Sequence, residues 1–125
     1  MEVEISVGEL VDKLTILSIK TKKINDPGKL KNIKKEYRIL EEAMNLAGLT
    51  PNSEEYKQLE RINLVLWDVE DALRIKEKNK NFDDEFIQLA RKVYFTNDER
   101  ARIKSAINKK FNSHLTEEKQ YVDYR

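Results

Sequence analysis

The chain has 125 residues, enough for one domain with a modest core. Charged residues make up 38% and mean hydropathy is −0.74, yet the apolar residues recur periodically, unlike those of disordered chains of similar polarity. Cys 0 excludes disulfides and thiolate ligands, the single histidine, His114, excludes a histidine-rich metal site, and Gly 3 with Pro 2 leaves little turn punctuation for a sheet.

The expectation is an all-α protein, an antiparallel bundle of four to five helices forming one domain over residues 1–125. Ser6-Val7-Gly8-Glu9 reads as a capping box, hydroxyl and carboxylate each satisfying an orphan amide. The helix it opens carries Val7, Leu10, Val11, Leu14, Leu17, Thr21 and Ile24 on one stripe. Ile16 and Ile19 lie off that stripe, so this helix is expected to pack on more than one side. Asp26-Pro27 ends the connection and starts a second helix with Leu30, Ile33, Tyr37, Leu40, Met44 and Ala47 in 3-4 alternation, stopped by Gly48.

Asn52 or Ser53 caps the third helix. It sets Leu59, Ile62, Leu66, Val69 and Leu73 on one stripe and Tyr56, Asn63, Trp67, Glu70 and Arg74 on the next. Lys76 to Asn81 reads as a loop, followed by a helix from Asp83 to Phe95 that buries Phe86, Leu89, Ala90 and Val93. Thr96-Asn97-Asp98-Glu99 resembles a second capping box opening a last helix to Phe111, either separate or continuous with its predecessor. The tail, residues 113–125, carries Leu115, Tyr121 and Tyr124 and is expected to dock back on the bundle.

Three groups of residues could carry chemistry. Glu9 and Asp12 form an ExxD pair, and Asp68, Glu70 and Asp71 cluster on the third helix. Facing carboxylates of that kind can hold Mg²⁺, as in helical nucleotide pyrophosphatases. The matching EExxE is missing, because Glu41-Glu42 is followed by Asn45 and Glu54-Glu55 by Gln58, so solvated charge is the better reading. A di-iron site needs two Glu-x-x-His motifs, and neither metal nor cofactor is expected.

The second group is basic: Lys20, Lys22, Lys23, Lys29, Lys31, Lys34, Lys35 and Arg38 against Asp26 and Glu36, a local +6 in a chain of total +1. Such a patch attracts phosphates. No aromatic interleaves its loop and the pI is about 7.8, which argues against nucleic acid as the main partner.

The third group is a polar stripe. Asn97, Asp98, Arg100, Lys104 and Asn108 recur at helical steps among apolar residues, and Asn63, Trp67, Glu70 and Arg74 form a counterpart on the third helix. Charges within a packing stripe need partners. They form either a structural network that fixes register or a ligand pocket; Glu70 and Arg74, four apart, suit an ion pair within one helix. Ser113-His114 has no triad geometry by itself, and Gly8, Gly28 and Gly48 are too isolated for a phosphate loop. No basic and apolar leader opens the chain, and its longest apolar run, about four to six residues, is far short of a membrane span, so a cytoplasmic protein is expected.

Four blocks together resemble a family: SxGELVDKLTIL from Ser6, NxxLWxVEDxLR from Asn63, FIxLARxVYxTNDxRAxIKxxIN from Phe86, and EEKQYVDY from Glu117. It is a family of small uncharacterised helical proteins of bacteria and cyanophages. The resemblance implies an association with glycan or sugar-nucleotide metabolism rather than a known activity. It carries over the polar positions Glu9, Asp12, Lys13, Asn63, Glu70, Asp71, Arg74, Asn97, Asp98, Arg100, Lys104, Asn108, Glu118, Lys119 and Tyr121. Ala72 stands where the family has an acid, which argues further against a metal role. The leading expectation is a non-enzymatic interaction or accessory module with a protein partner, which includes a homo-oligomer. The alternatives are a phosphate- or sugar-nucleotide-directed site on the polar stripe and weak nucleic-acid binding through the basic patch.

Overall fold

The computed structural model describes residues 2–111, which form four helices: α1 (Val7–Lys23), α2 (Pro27–Leu46), α3 (Glu54–Lys78) and α4 (Asp84–Lys110). The tail with His114, Glu118, Lys119 and Tyr121 lies outside the described residues. Short connections make successive helices run up and down. α1 is central and packs against all three others, whereas α2 lies only along α1 at the level of the backbone. That placement explains why α1 is apolar beyond one stripe: Ile19, off the stripe, is buried as well as Leu10, Val11, Leu14 and Leu17. Ile19 therefore belongs to the interior.

The ends of the helices follow from local chemistry. Asp26 Oδ1 accepts from the amides of Gly28 and Lys29 at 2.9 and 3.1 Å, with Pro27 at the first helical position. Gly48, at φ +101°, closes α2: its amide donates to Asn45 O and the Leu49 amide to Met44 O. This pairing satisfies two orphan carbonyls and packs Leu49 on Met44, both fully buried. The capping box at Ser6 is only half made. Ser6 Oγ accepts from the Glu9 amide at 3.1 Å, but the Glu9 carboxylate turns away to Lys104, a stronger, charged partner.

In the second half the capping box at Thr96 and the length of the loop before α4 differ from expectation, and of the two alternatives for the last helices the continuous one holds. α4 is one helix through Thr96, which is buried at mid-helix rather than standing at a cap. No Gly or Pro interrupts the run from Asp84, and Thr, Asn and Asp inside a helix cost only tenths of a kcal/mol each, roughly, so nothing forces a new start. The Lys76–Asn81 loop is shorter than its polarity suggests, because α3 continues to Lys78. Lys76 reaches across the turn to Asp83 at 3.1 Å and Glu85 at 3.7 Å, fastening the α3–α4 hairpin. Lys80, at φ +52°, makes the reversal.

The core joins Leu10, Val11, Leu14, Met44, Leu49, Tyr56, Leu59 and Ile107. Its members from α3 and α4, Tyr56, Leu59 and Ile107, all lie in the half of that hairpin away from its turn. α1, at 17 residues, is about 25 Å long, and α3 and α4, at 25 and 27, are about 37 and 40 Å. α1 begins beside Asn108 and ends beside Asp68, so the rest of the hairpin runs on past it as an arm. Between Val69 and Thr96 no described residue is buried; Phe86, Leu89, Ala90 and Val93 are only half-covered.

Candidate functional site

The polar stripe of α4 meets the start of α1. Gly8 permits the approach: a Cβ there would sit 2.5 Å from the Lys104 carbonyl oxygen and 2.9 Å from Asn108 Oδ1. At this distance the Gly8 amide, an orphan of the first turn, donates to Asn108 Oδ1 at 2.7 Å. Asn108 thus caps α1 from a different helix.

One turn further along, Asp12 is 1% exposed and is the hub. Arg100 donates to it twice, Nε to Oδ1 at 2.8 Å and Nη2 to Oδ2 at 2.5 Å. Asn63 Nδ2 donates to Asp12 Oδ1 and to Thr15 Oγ1, both at 2.9 Å, while the Thr15 hydroxyl donates to the Asp12 carbonyl. Lys104 Nζ lies 3.9 Å from Asp12 Oδ2 and donates to Glu9 Oε2 at 2.7 Å. Burial pushes the Asp12 carboxyl up, but the Arg100 and Asn63 hydrogen bonds and the two cations outweigh it, leaving the group below its ordinary range. Among the described residues no buried side-chain nitrogen or oxygen lacks a partner. At its centre the network is matched: both oxygens of Asp12 accept from its own donors.

Six of the expected residues therefore converge: Glu9, Asp12, Asn63, Arg100, Lys104 and Asn108. The ExxD carboxylates face cations rather than an ion site. Glu70 and Arg74 stay outside the network. Arg74 lies on the surface, 3.9 Å from Glu70 and 3.2 Å from Asp71, as four-residue spacing on one helix favours. Trp67 is half-buried one turn beyond Asn63, and Asn97 and Asp98 are half-buried on the turn before Arg100. Asp68 pairs with Lys23 at 3.5 Å. Among the described residues no group of three or more potential ligands could hold a metal ion. Thr15 was hidden by its type: only its contact with Asn63 across the helices reveals its part.

The basic residues fare differently. Lys22 and Lys23 are drawn to Glu60 and Asp68, while Lys20, Lys29, Lys31 and Lys35 are spread over the surface of α1 and α2. Lys34 and Arg38, one turn apart on α2, line a cleft of about 390 Å³ with Tyr37 and, from α1, Ser18 and Thr21. Tyr37 and Tyr56 share a hydroxyl hydrogen bond of 2.8 Å that ties α2 to α3. Burial raises both phenols above their ordinary value, so both stay protonated at neutral pH. A second cleft, about 300 Å³ between α3 and α4, has its charges already matched, Lys110 to Glu55 and Arg102 to Glu99.

Among the described residues no helix is long and apolar enough to cross a membrane. A family model described as a family of unknown function (DUF6165) matches residues 1–124, and the chain belongs to that family. No curated protein and no solved structure matches.

Proposed function

We propose that this DUF6165 protein is a non-enzymatic interaction module whose α3–α4 arm binds a second copy of itself. The observation that carries the reading is the arm. From residue 70 to residue 95 it buries nothing, yet Ile75, Phe82 and Ile87 are at least half exposed around its turn. Apolar side chains in such number on a two-helix arm are what a partner covers. The arm has six acidic residues (Glu70, Asp71, Glu77, Asp83, Asp84, Glu85) and six basic ones (Arg74, Lys76, Lys78, Lys80, Arg91, Lys92). A neutral, mixed surface of this kind meets its own copy without net repulsion, and two hairpins pairing about a twofold axis complete a four-helix arrangement.

The closed polar network supports the non-enzymatic half of the reading. Its central carboxylate, Asp12, is sealed and its charge already compensated, as suits a join between helices. The tie to glycan biosynthesis implied by the resemblance is carried in this proposal as an accessory role beside an enzyme. The 3-4 stripe of α2 is turned inward, Met44 in the core with Tyr37 and Leu40 packed against it, so it is not the face offered to a second copy.

Sedimentation equilibrium across a hundredfold range of concentration tests this. A monomer–dimer equilibrium that Ile87→Glu and Ile75→Glu each abolish, with helical content unchanged, is the expected result. A monomer at every concentration, or a dimer indifferent to both changes, overturns it.

A further inference from the structure

We infer that the α1–α2 cleft is a binding site for a small polyhydroxylated phosphate monoester, of the sugar-phosphate kind. Its volume of about 390 Å³ falls in the range of small-molecule sites. Its two walls differ in chemistry, and the difference specifies the ligand.

The α2 wall is cationic. Lys34 and Arg38 both line the cleft, and neither makes an ion pair or a side-chain hydrogen bond among the described residues. Their neighbours Lys22 and Lys23 are drawn to Glu60 and Asp68, whereas these two side chains remain on the cleft wall with their charges open to a ligand. An arginine and a lysine one turn apart suit a phosphate, the guanidinium as a fork and the ammonium as a point charge. The surrounding excess of +6 between Lys20 and Arg38 raises the local concentration of anions.

The α1 wall accepts. The Ser18 hydroxyl donates its proton to Glu60 Oε2 at 2.7 Å, and the Thr21 hydroxyl donates to the Ser18 carbonyl at 2.6 Å. With those protons committed, Ser18 Oγ and Thr21 Oγ1 offer lone pairs only. They cannot donate to phosphate, but they can receive the hydroxyls of a ligand body, and the Glu60 carboxylate behind Ser18 repels an anion from that side. A ligand with a phosphate at one end and hydroxyl donors at the other is satisfied at both. Tyr37, its hydroxyl held by Tyr56, lines the cleft beside them.

The test is amide-resolved NMR titration of the full chain with glucose 6-phosphate, glucose, inorganic phosphate and a short DNA duplex, at two salt concentrations. Saturable shifts confined to Ser18, Thr21 and Lys34 to Arg38, with glucose 6-phosphate binding at least tenfold tighter than glucose or phosphate, are expected. Arg38→Gln and Lys34→Gln should each weaken it about tenfold, and Lys29→Gln, outside the cleft, should not. Both substituted residues are exposed, so the fold survives the change. Absence of saturable shifts, equal loss in Lys29→Gln, or tighter binding of the duplex with shifts spread across Lys29 and Lys31 overturns the inference. None of these readouts depends on self-association through the arm, so the two proposals fail separately.

Discussion

Asp12 accepts both hydrogen bonds of the Arg100 fork, from a residue 88 positions later in the chain. This pair joins the first helix to the last at the level where Asn63 brings in the third. A buried carboxylate is tolerable only with such matching, because an isolated one would cost several kcal/mol or more in lost hydration.

Asp12→Asn removes the buried charge that accepts the Arg100 fork, while Lys104 keeps Glu9. The expected loss is about 3–5 kcal/mol of unfolding free energy, measured by urea denaturation. Glu70→Ala, which breaks a surface contact of Arg74, should change stability by about 0.5 kcal/mol or less. Similar losses for the two variants would contradict the ranking.

The depressed Asp12 carboxyl also sets a pH dependence. The folded state binds this proton less readily than the unfolded chain, whose aspartates titrate near roughly 3.9. The stabilisation it provides is therefore complete well above that value and is lost as pH falls through the lower folded value. Denaturant midpoints should hold constant from neutrality to about pH 5 and drop below about pH 4. In Asp12→Asn the acid-side drop should be shallower.

How much of this was visible in the sequence depends on distance along the chain. The Asp26-Pro27 start, the Gly48 stop and the Glu70–Arg74 pair are local, settled within a turn or two, and each forms as its spacing predicts. The stripe of Arg100, Lys104 and Asn108 was legible as an anomaly, but its partners Gly8, Glu9 and Asp12 depend on which helices adjoin, and no spacing reveals that. The Thr96 motif misled for the opposite reason: a local cap signature carries no weight when the preceding turn is already helical. The cleft was invisible, because a basic run does not show which of its members come to face another helix.

Gly8→Ala should destabilise despite the better helix propensity of alanine. Relief of the contact with the Lys104 carbonyl requires α1 and α4 to separate, since that atom is backbone and cannot rotate away. A net loss of about 1–3 kcal/mol is expected, from overpacking and the stretched Asn108 cap. Thermal unfolding will show whether the midpoint falls; a rise would mean the helices yield more easily than the contact implies.

Hydrogen exchange should divide the molecule at Val69 and Thr96. Amides of α1 and of α3 near Leu59 should open only with global unfolding, while those of the arm exchange faster by a factor of about 100, equivalent to roughly 2.8 kcal/mol of easier local opening. Uniform protection along α3 would contradict the division.

The unbroken passage of α4 through Thr96 has a mechanical consequence. A helix without a hinge transmits tilt, so force applied near Ile87 reaches Arg100 about 20 Å away as torque on the same rod. The hydrogen bonds at Asp12 lie close to the fulcrum of that lever. Displacing the tip strains the join between first and last helix before it disturbs the apolar interior, so a mechanical load on the arm would be felt first at Asp12.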